Sequence, residues 1–107
     1  MEELSEMIRR LHEAANGDTE RRGAPRVARQ GVLSIHLSSP ESTKTVQFRD
    51  CSATGIGFCS TSSLTLGTLF EVIVKHPARG DLVFRYEVVR CQKTSNQQYI
   101  IGAKLLR

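Results

Sequence analysis

The sequence predicts an all-β domain: a six-stranded antiparallel β-barrel led by one short N-terminal α-helix. Three observations point there. From Gly31 onward apolar residues recur with a period of two, clusters of turn residues divide the runs at short intervals, and no stretch among them has helical spacing. Strands joined by short turns pair antiparallel. Leu82-Val83-Phe84 and Val88-Val89 are apolar on both alternating sets. A sheet with one wet face would not produce that pattern, whereas closure into a small barrel, with the helix over one outer patch, accommodates it.

The helix is expected over residues 3–15. Leu4, Met7, Ile8, Leu11 and Ala15 follow the alternating three-and-four spacing of a single stripe. Glu2, Glu3 and Glu6 stand at its start and Arg9, Arg10 and His12 towards its end, the sense the helix dipole favours. Asn16-Gly17 stops it, because glycine takes the left-handed conformation without cost. So short a helix is marginal alone in water, so its stripe packs on the domain or on a second chain, which leaves a homodimer open.

Residues 18–30 show no apolar periodicity and concentrate Arg21, Arg22, Arg26 and Arg29 around Gly23 and Pro25. Pro25 forces Ala24 out of helical geometry, so this segment reads as an extended, mobile arm. The first strand starts at Gly31 with Leu33, Ile35 and Leu37 inward, and residues 38–42 carry turn chemistry. The second strand is expected over 45–50 with Val46 and Phe48 inward, and the third over 55–60 with Ile56 and Phe58 inward. Strands over 69–75, 81–91 and 98–106 complete the set. The organisation is thus a helix at 1–17, an arm at 18–30 and a barrel at 31–107, in a chain whose 107 residues suffice for one core.

Composition narrows the function classes. Aromatics make up 6% and tryptophan is absent, so the core rests on Leu, Ile and Val. No apolar run approaches the roughly 20 residues of a membrane helix, and the acidic N-terminus has no signal-peptide pattern; a cytoplasmic location is expected. Cys51, Cys59 and Cys91 have neither the number for a disulfide framework nor zinc-site spacing, so they read as buried free thiols, with no metal and no cofactor. His12, His36 and His76 lie apart, and no nucleophile–base or phosphate-loop motif is present. The chain is not expected to be an enzyme. A net charge of +4 points to an anionic partner.

Two polar clusters supply the chemistry for such a partner. Arg22-Gly-Ala-Pro-Arg26, with Arg21 before it, offers planar forks that bond bidentately to phosphate or to the O6/N7 edge of guanine. Asp50-Cys-Ser-Ala-Thr-Gly55 offers a carboxylate for the N1–H and amine edge of guanine, the Ser52 hydroxyl, and at Gly55 an unobstructed backbone. Asp50 and Ser52 also suit a strand-end turn with no ligand at all. A single-stranded nucleic-acid-binding barrel is the first alternative, although Phe48, Phe58, Phe70, Phe84, Tyr86 and Tyr99 fall mostly on inward sets instead of forming a stacking platform.

The pair Arg-x-x-x-Arg and Asp-x-Ser-x-x-Gly, in this order and separation, resembles the signature of the PilZ-domain family, and the likeness extends over residues 20–107. It includes Leu66-Gly67-Thr68, Tyr86-Glu-Val-Val-Arg90 and Tyr99-Ile-Ile-Gly-Ala-Lys-Leu105. The resemblance implies a split β-barrel that binds the bacterial second messenger cyclic di-GMP and signals to a downstream protein partner. It implies ligand contacts from Arg21, Arg22 and Arg26 on the arm, from Asp50, Ser52 and Gly55 on the barrel, and from Gly102 on the last strand. The expected mechanism is ordering of the arm by ligand, which carries the attached helix with it. A ligand-independent adaptor of the same family is the second alternative.

Overall fold

In the computed structural model, residues 4–14, 26–38, 41–76, 78, 80–94 and 96–106 are described. Helix α1 (Leu4–Ala14) precedes β1 (Val27–Ser38), β2 (Glu41–Cys51), β3 (Gly55–Ser60), β4 (Leu69–His76), β5 (Gly80–Lys93) and β6 (Tyr99–Leu106). The strands close into a barrel in the order β1-β2-β3-β6-β5-β4, every neighbouring pair antiparallel. The fold class is the one the sequence predicts.

Alternation builds the interior. Leu33, Ile35 and Leu37 of β1, Val46 and Phe48 of β2, Ile56 and Phe58 of β3, and Phe70, Val72 and Val74 of β4 are all buried. The centre is an aromatic run in which Phe58 meets Phe70 edge-on at 5.7 Å and Phe70 stacks on Tyr86 at 5.2 Å between ring centroids. Such pairs add about 0.5–1.5 kcal/mol each beyond their buried area.

Several boundaries differ from the sequence expectation, for physical reasons. β1 begins at Val27, because Val27 and Ala28 pair with Cys51 and Asp50 across a register shift that precedes Gly31. Residues 27–30, expected in the arm, therefore belong to the barrel. β2 begins at Glu41: Ser38 pairs with Glu41 and Leu37 with Ser42, so the turn is tighter than residues 38–42 suggest. β5 runs two residues further than expected, to Lys93.

Val83 and Val89, apolar residues that the sequence pattern places inside a closed barrel, are 52% and 50% exposed. What closes the barrel is the hydrogen-bonded ring. Among the described residues the join between β1 and β4 is short, with His36 opposite Glu71 and Leu37 opposite Phe70 as its paired positions.

Helix α1 does not cover an outer patch. Met7, Ile8 and His12 are buried, and His12 reaches the inward-facing side chains of β5. Its Nε2 lies 2.8 Å from the Tyr86 hydroxyl, and its ring meets Phe84 edge-on at 5.1 Å. The helix thus closes one end of the barrel. His12 continues the stripe at i+4 from Ile8, and the buried tyrosine hydroxyl needs a polar partner there. Leu4 packs beside β1, where a Cβ on Gly31 would come within 3.1 Å of Leu4 Cδ2. Of the cysteines, all free, Cys51 is buried as expected, whereas Cys59 and Cys91 are partly exposed. No described helix is long and apolar enough to cross a membrane.

Candidate functional site

The hairpin between β2 and β3 presents the second motif. Its two ends close on Ser52 and Gly55, where the Ser52 N–H donates to the Gly55 carbonyl at 2.9 Å, leaving Ala53 and Thr54 at the tip. The Leu105 N–H donates to the Thr54 carbonyl at 2.7 Å and ties the tip to β6. Ser52 is buried, and its hydroxyl accepts from the Thr54 N–H at 3.2 Å, an ST-turn of the kind expected for such a residue.

Arg26, immediately before β1, reaches this hairpin. Its Nε and Nη2 donate to Asp50 Oδ1 at 3.1 and 2.7 Å, and its Nη1 donates to Ser52 Oγ at 3.3 Å. One guanidinium therefore joins the two half-motifs across 24 residues of sequence. Next to it, burial pushes the Cys51 thiol up to about 12, against the opposing pull of Arg26 and with a further push from Asp50. That thiol stays protonated and inert at neutral pH.

Two strand irregularities shape what lies beside the hairpin. β2 carries one extra residue, Arg49, between Phe48 opposite Phe58 and Asp50 opposite Gly57. β5 carries one extra residue, Val89, between Val88 opposite Ala103 and Arg90 opposite Gly102. Between these bulges β3 and β6 run in regular register, with Gly57 opposite Gly102. A single row thus crosses four strands on the outer wall: Asp50, Gly57, Gly102, Arg90. Bulges recur beside binding sites because they re-aim side chains.

The row is the floor of a groove of about 380 Å³, lined among others by Arg26, Arg49, Asp50, Gly57, Arg90, Gly102 and Lys104. Ligand pockets commonly run from about 300 to 1,000 Å³. A Cβ on Gly57 would lie 2.7 Å from Asp50 Oδ1, so that carboxylate rests directly on the glycine. A Cβ on Gly102 would lie 3.5 Å from Arg90 Cβ and 3.6 Å from its Nε, so the Arg90 chain folds over the second glycine. Gly55 is required for a different reason: a side chain there would run into the Ala103 carbonyl of β6.

Among the expected contacts, Arg26, Asp50 and Ser52 come together, Gly55 ends the same hairpin, and Gly102 lies in the floor of the adjoining groove. Arg21 and Arg22 lie outside the described residues. Arg49, Gly57, Arg90 and Lys104 were not expected. A signal for two of them is present in the sequence: inward positions step 46, 48, 51 in β2 and 86, 88, 91 in β5. Each three-residue step marks a bulge. Electrostatically the cations of the groove divide. Arg26 is paired with Asp50 and Lys104 Nζ lies 3.7 Å from Glu87 Oε1, whereas Arg49 and Arg90 have no ion-pair or hydrogen-bond partner for their side chains among the described residues.

Comparison with known proteins gives one family: the model described as PilZ domain matches residues 20–107. No curated protein matches the chain.

Proposed function

The chain belongs to the PilZ-domain family, a family of cyclic di-GMP-binding adaptor domains without catalytic activity, and on that premise we propose that it is a bacterial, cytoplasmic receptor for cyclic di-GMP. The observation that carries this reading is the Arg26 guanidinium on Asp50 and Ser52 at the rim of the glycine-floored groove. Those three residues provide a cationic fork, an anionic acceptor and a hydroxyl within one side chain's reach. A guanine nucleotide has the complementary set: phosphate oxygens for the fork, and an N1–H and amine edge for the carboxylate.

In this mechanism the Arg26–Asp50 pair is exchanged, not merely added to. The pair is half-exposed, with side-chain accessibilities of 48% and 29%. Such pairs contribute at most about 1 kcal/mol, so ligand phosphate displaces it at little cost. Arg21 and Arg22 then close over the ligand from the arm, Asp50 and Ser52 hold the base, and the arm's order is passed to α1 and to a downstream protein partner. The nucleic-acid alternative loses support because Phe48, Phe58, Phe70 and Tyr86 are buried and give no base-stacking surface.

Calorimetric titration with cyclic di-GMP tests the proposal. Wild type binds, and Arg26→Ala loses a charge-assisted contact worth roughly 1.5–3 kcal/mol, about ten- to a hundred-fold in affinity. No heat with wild type, or equal affinity for the two proteins, refutes it. Hydrogen exchange over residues 3–30 slows on ligand addition; unchanged protection rejects the ordering step while leaving the binding site intact.

A further inference from the structure

The row of four residues across the outer wall has two ends, and the proposed function employs only one of them. We infer that Arg90, at the other end, is the residue that selects guanine over adenine, by donating from its guanidinium to the O6/N7 edge of the base. This rests on the reading of the groove as a cyclic dinucleotide site and extends it to specificity.

Four observations converge on Arg90. The bulge at Val89 shifts the alternation of β5 by one, so Arg90 faces outward directly opposite Gly102. Gly102 has no side chain to hold the arginine off the sheet, and the Arg90 Nε lies 3.6 Å from where a Cβ would stand. The stem of the side chain therefore lies over the groove floor as far as Nε, while the residue stays exposed at the groove mouth. Arg90 has no ion-pair or hydrogen-bond partner for its side chain among the described residues, whereas Arg26 and Lys104 in the same groove are engaged by carboxylates. Its donors are thus available without breaking a contact.

The fourth observation is complementarity. Asp50 stands at the opposite end of the row, three strand spacings away, or about 14 Å between backbones. Asp50 rests on the first glycine and Arg90 on the second, so a base that enters between the two side chains lifts them from the floor and meets each with one of two adjoining edges. Guanine offers donors, N1–H and the exocyclic amine, on the edge that a carboxylate accepts from. On the other edge it offers two acceptors, O6 and N7, that match the two-pronged arginine fork. Adenine puts an amine where O6 would be, and an arginine donor then faces another donor. A carboxylate at one end and an unpaired fork at the other is therefore a guanine filter.

The test is titration of wild type, Arg90→Ala, Arg90→Lys and Arg26→Ala with cyclic di-GMP and with cyclic di-AMP. Arg90 is exposed, so its replacement leaves the fold intact, checked by an unchanged melting temperature. Losing a bidentate base contact lowers the preference for the guanine ligand roughly five- to a hundred-fold. Arg90→Lys keeps the charge without the fork and recovers affinity for both ligands but not the preference. An Arg90→Ala protein with wild-type preference overturns the inference, whether its affinity is unchanged or falls equally for both ligands. In either outcome a loss of binding in Arg26→Ala leaves the cyclic di-GMP reading standing. A wild type that binds neither ligand defeats that reading and the inference with it.

Discussion

Replacing Gly57 by alanine separates the chemistry of the site from the stability of the barrel. The new Cβ would stand 2.7 Å from Asp50 Oδ1 and 3.5 Å from Asp50 Cγ, so the carboxylate must swing away. That oxygen is the acceptor of two of the three Arg26 hydrogen bonds, at 3.1 and 2.7 Å. The two bonds to Asp50 are therefore lost or loosened together, which leaves only the bond from Nη1 to Ser52 Oγ. Because the pair is half-exposed, the stability cost is at most about 1 kcal/mol, or a fall of no more than roughly 4–8 °C in melting temperature. The affinity cost is larger, since a misplaced charge-assisted contact accounts for roughly ten- to a hundred-fold.

Two neighbouring glycines calibrate the result. Gly55→Ala drives a methyl into the Ala103 carbonyl, backbone that cannot rotate aside, and overpacking of that kind costs about 1–3 kcal/mol or more. Gly102→Ala meets only ordinary contacts with Arg90, at 3.5 and 3.6 Å, and leaves the melting temperature near wild type while occupying part of the groove floor. Thermal denaturation ranks the three, with Gly55→Ala least stable, and titration with cyclic di-GMP reads the site. A Gly57→Ala protein that binds as wild type shows that Asp50 takes no part in holding the ligand. One that melts as low as Gly55→Ala shows that Asp50 supports the fold and not the site.

Two further outcomes are expected. Cys51, pushed from the ordinary 9.0 up to about 12 chiefly by burial, resists alkylation of the native protein at pH 8 while the more accessible Cys59 and Cys91 react; mass spectrometry of labelled peptides decides this, and early labelling at Cys51 contradicts it. Since the folded protein holds that proton more tightly than the unfolded chain, the same burial makes stability fall as pH rises from about 9 to about 12, and Cys51→Ala flattens that slope in denaturant titrations. Tyr86→Phe removes the hydroxyl 2.8 Å from His12 Nε2 and loosens the helix on the barrel. A loss of roughly 1 kcal/mol or more, read as a fall of about 4–8 °C in melting temperature, is the expected result, and an unchanged melting temperature denies the pair any structural role.

Much of the fold could be read from alternation alone. Leu33, Ile35 and Leu37, or Val46 and Phe48, advertise an inward face because burial on a pleated sheet demands a period of two. Where the ladder gains a residue, as at Arg49 and Val89, that count slips, and strand ends and outward residues are misassigned together. The burial of His12 escapes the sequence pattern for another reason. As a cation near a helix C-terminus it suits the dipole, but a partner 74 residues away, the Tyr86 hydroxyl, draws it inside. Local chemistry at Arg26, Asp50 and Ser52 was legible because the motif is written in residue types. The far side of the groove was not, because Gly57, Gly102 and Arg90 become neighbours only through the register of three strands.

The short join between β1 and β4 gives α1 a part in the barrel that its sequence position conceals. Leu4 rests against β1 at Gly31, the helix packs along β4, and Met7, Ile8 and His12 fill the end of the interior between them. The helix thus supplies by packing some of the cohesion that backbone pairing supplies elsewhere around the ring. The family match starts at residue 20, downstream of all these contacts. A clone trimmed to that border would carry the groove on a barrel with one end open to water, so the border of the recognisable domain and the border of the folding unit are different places in this chain.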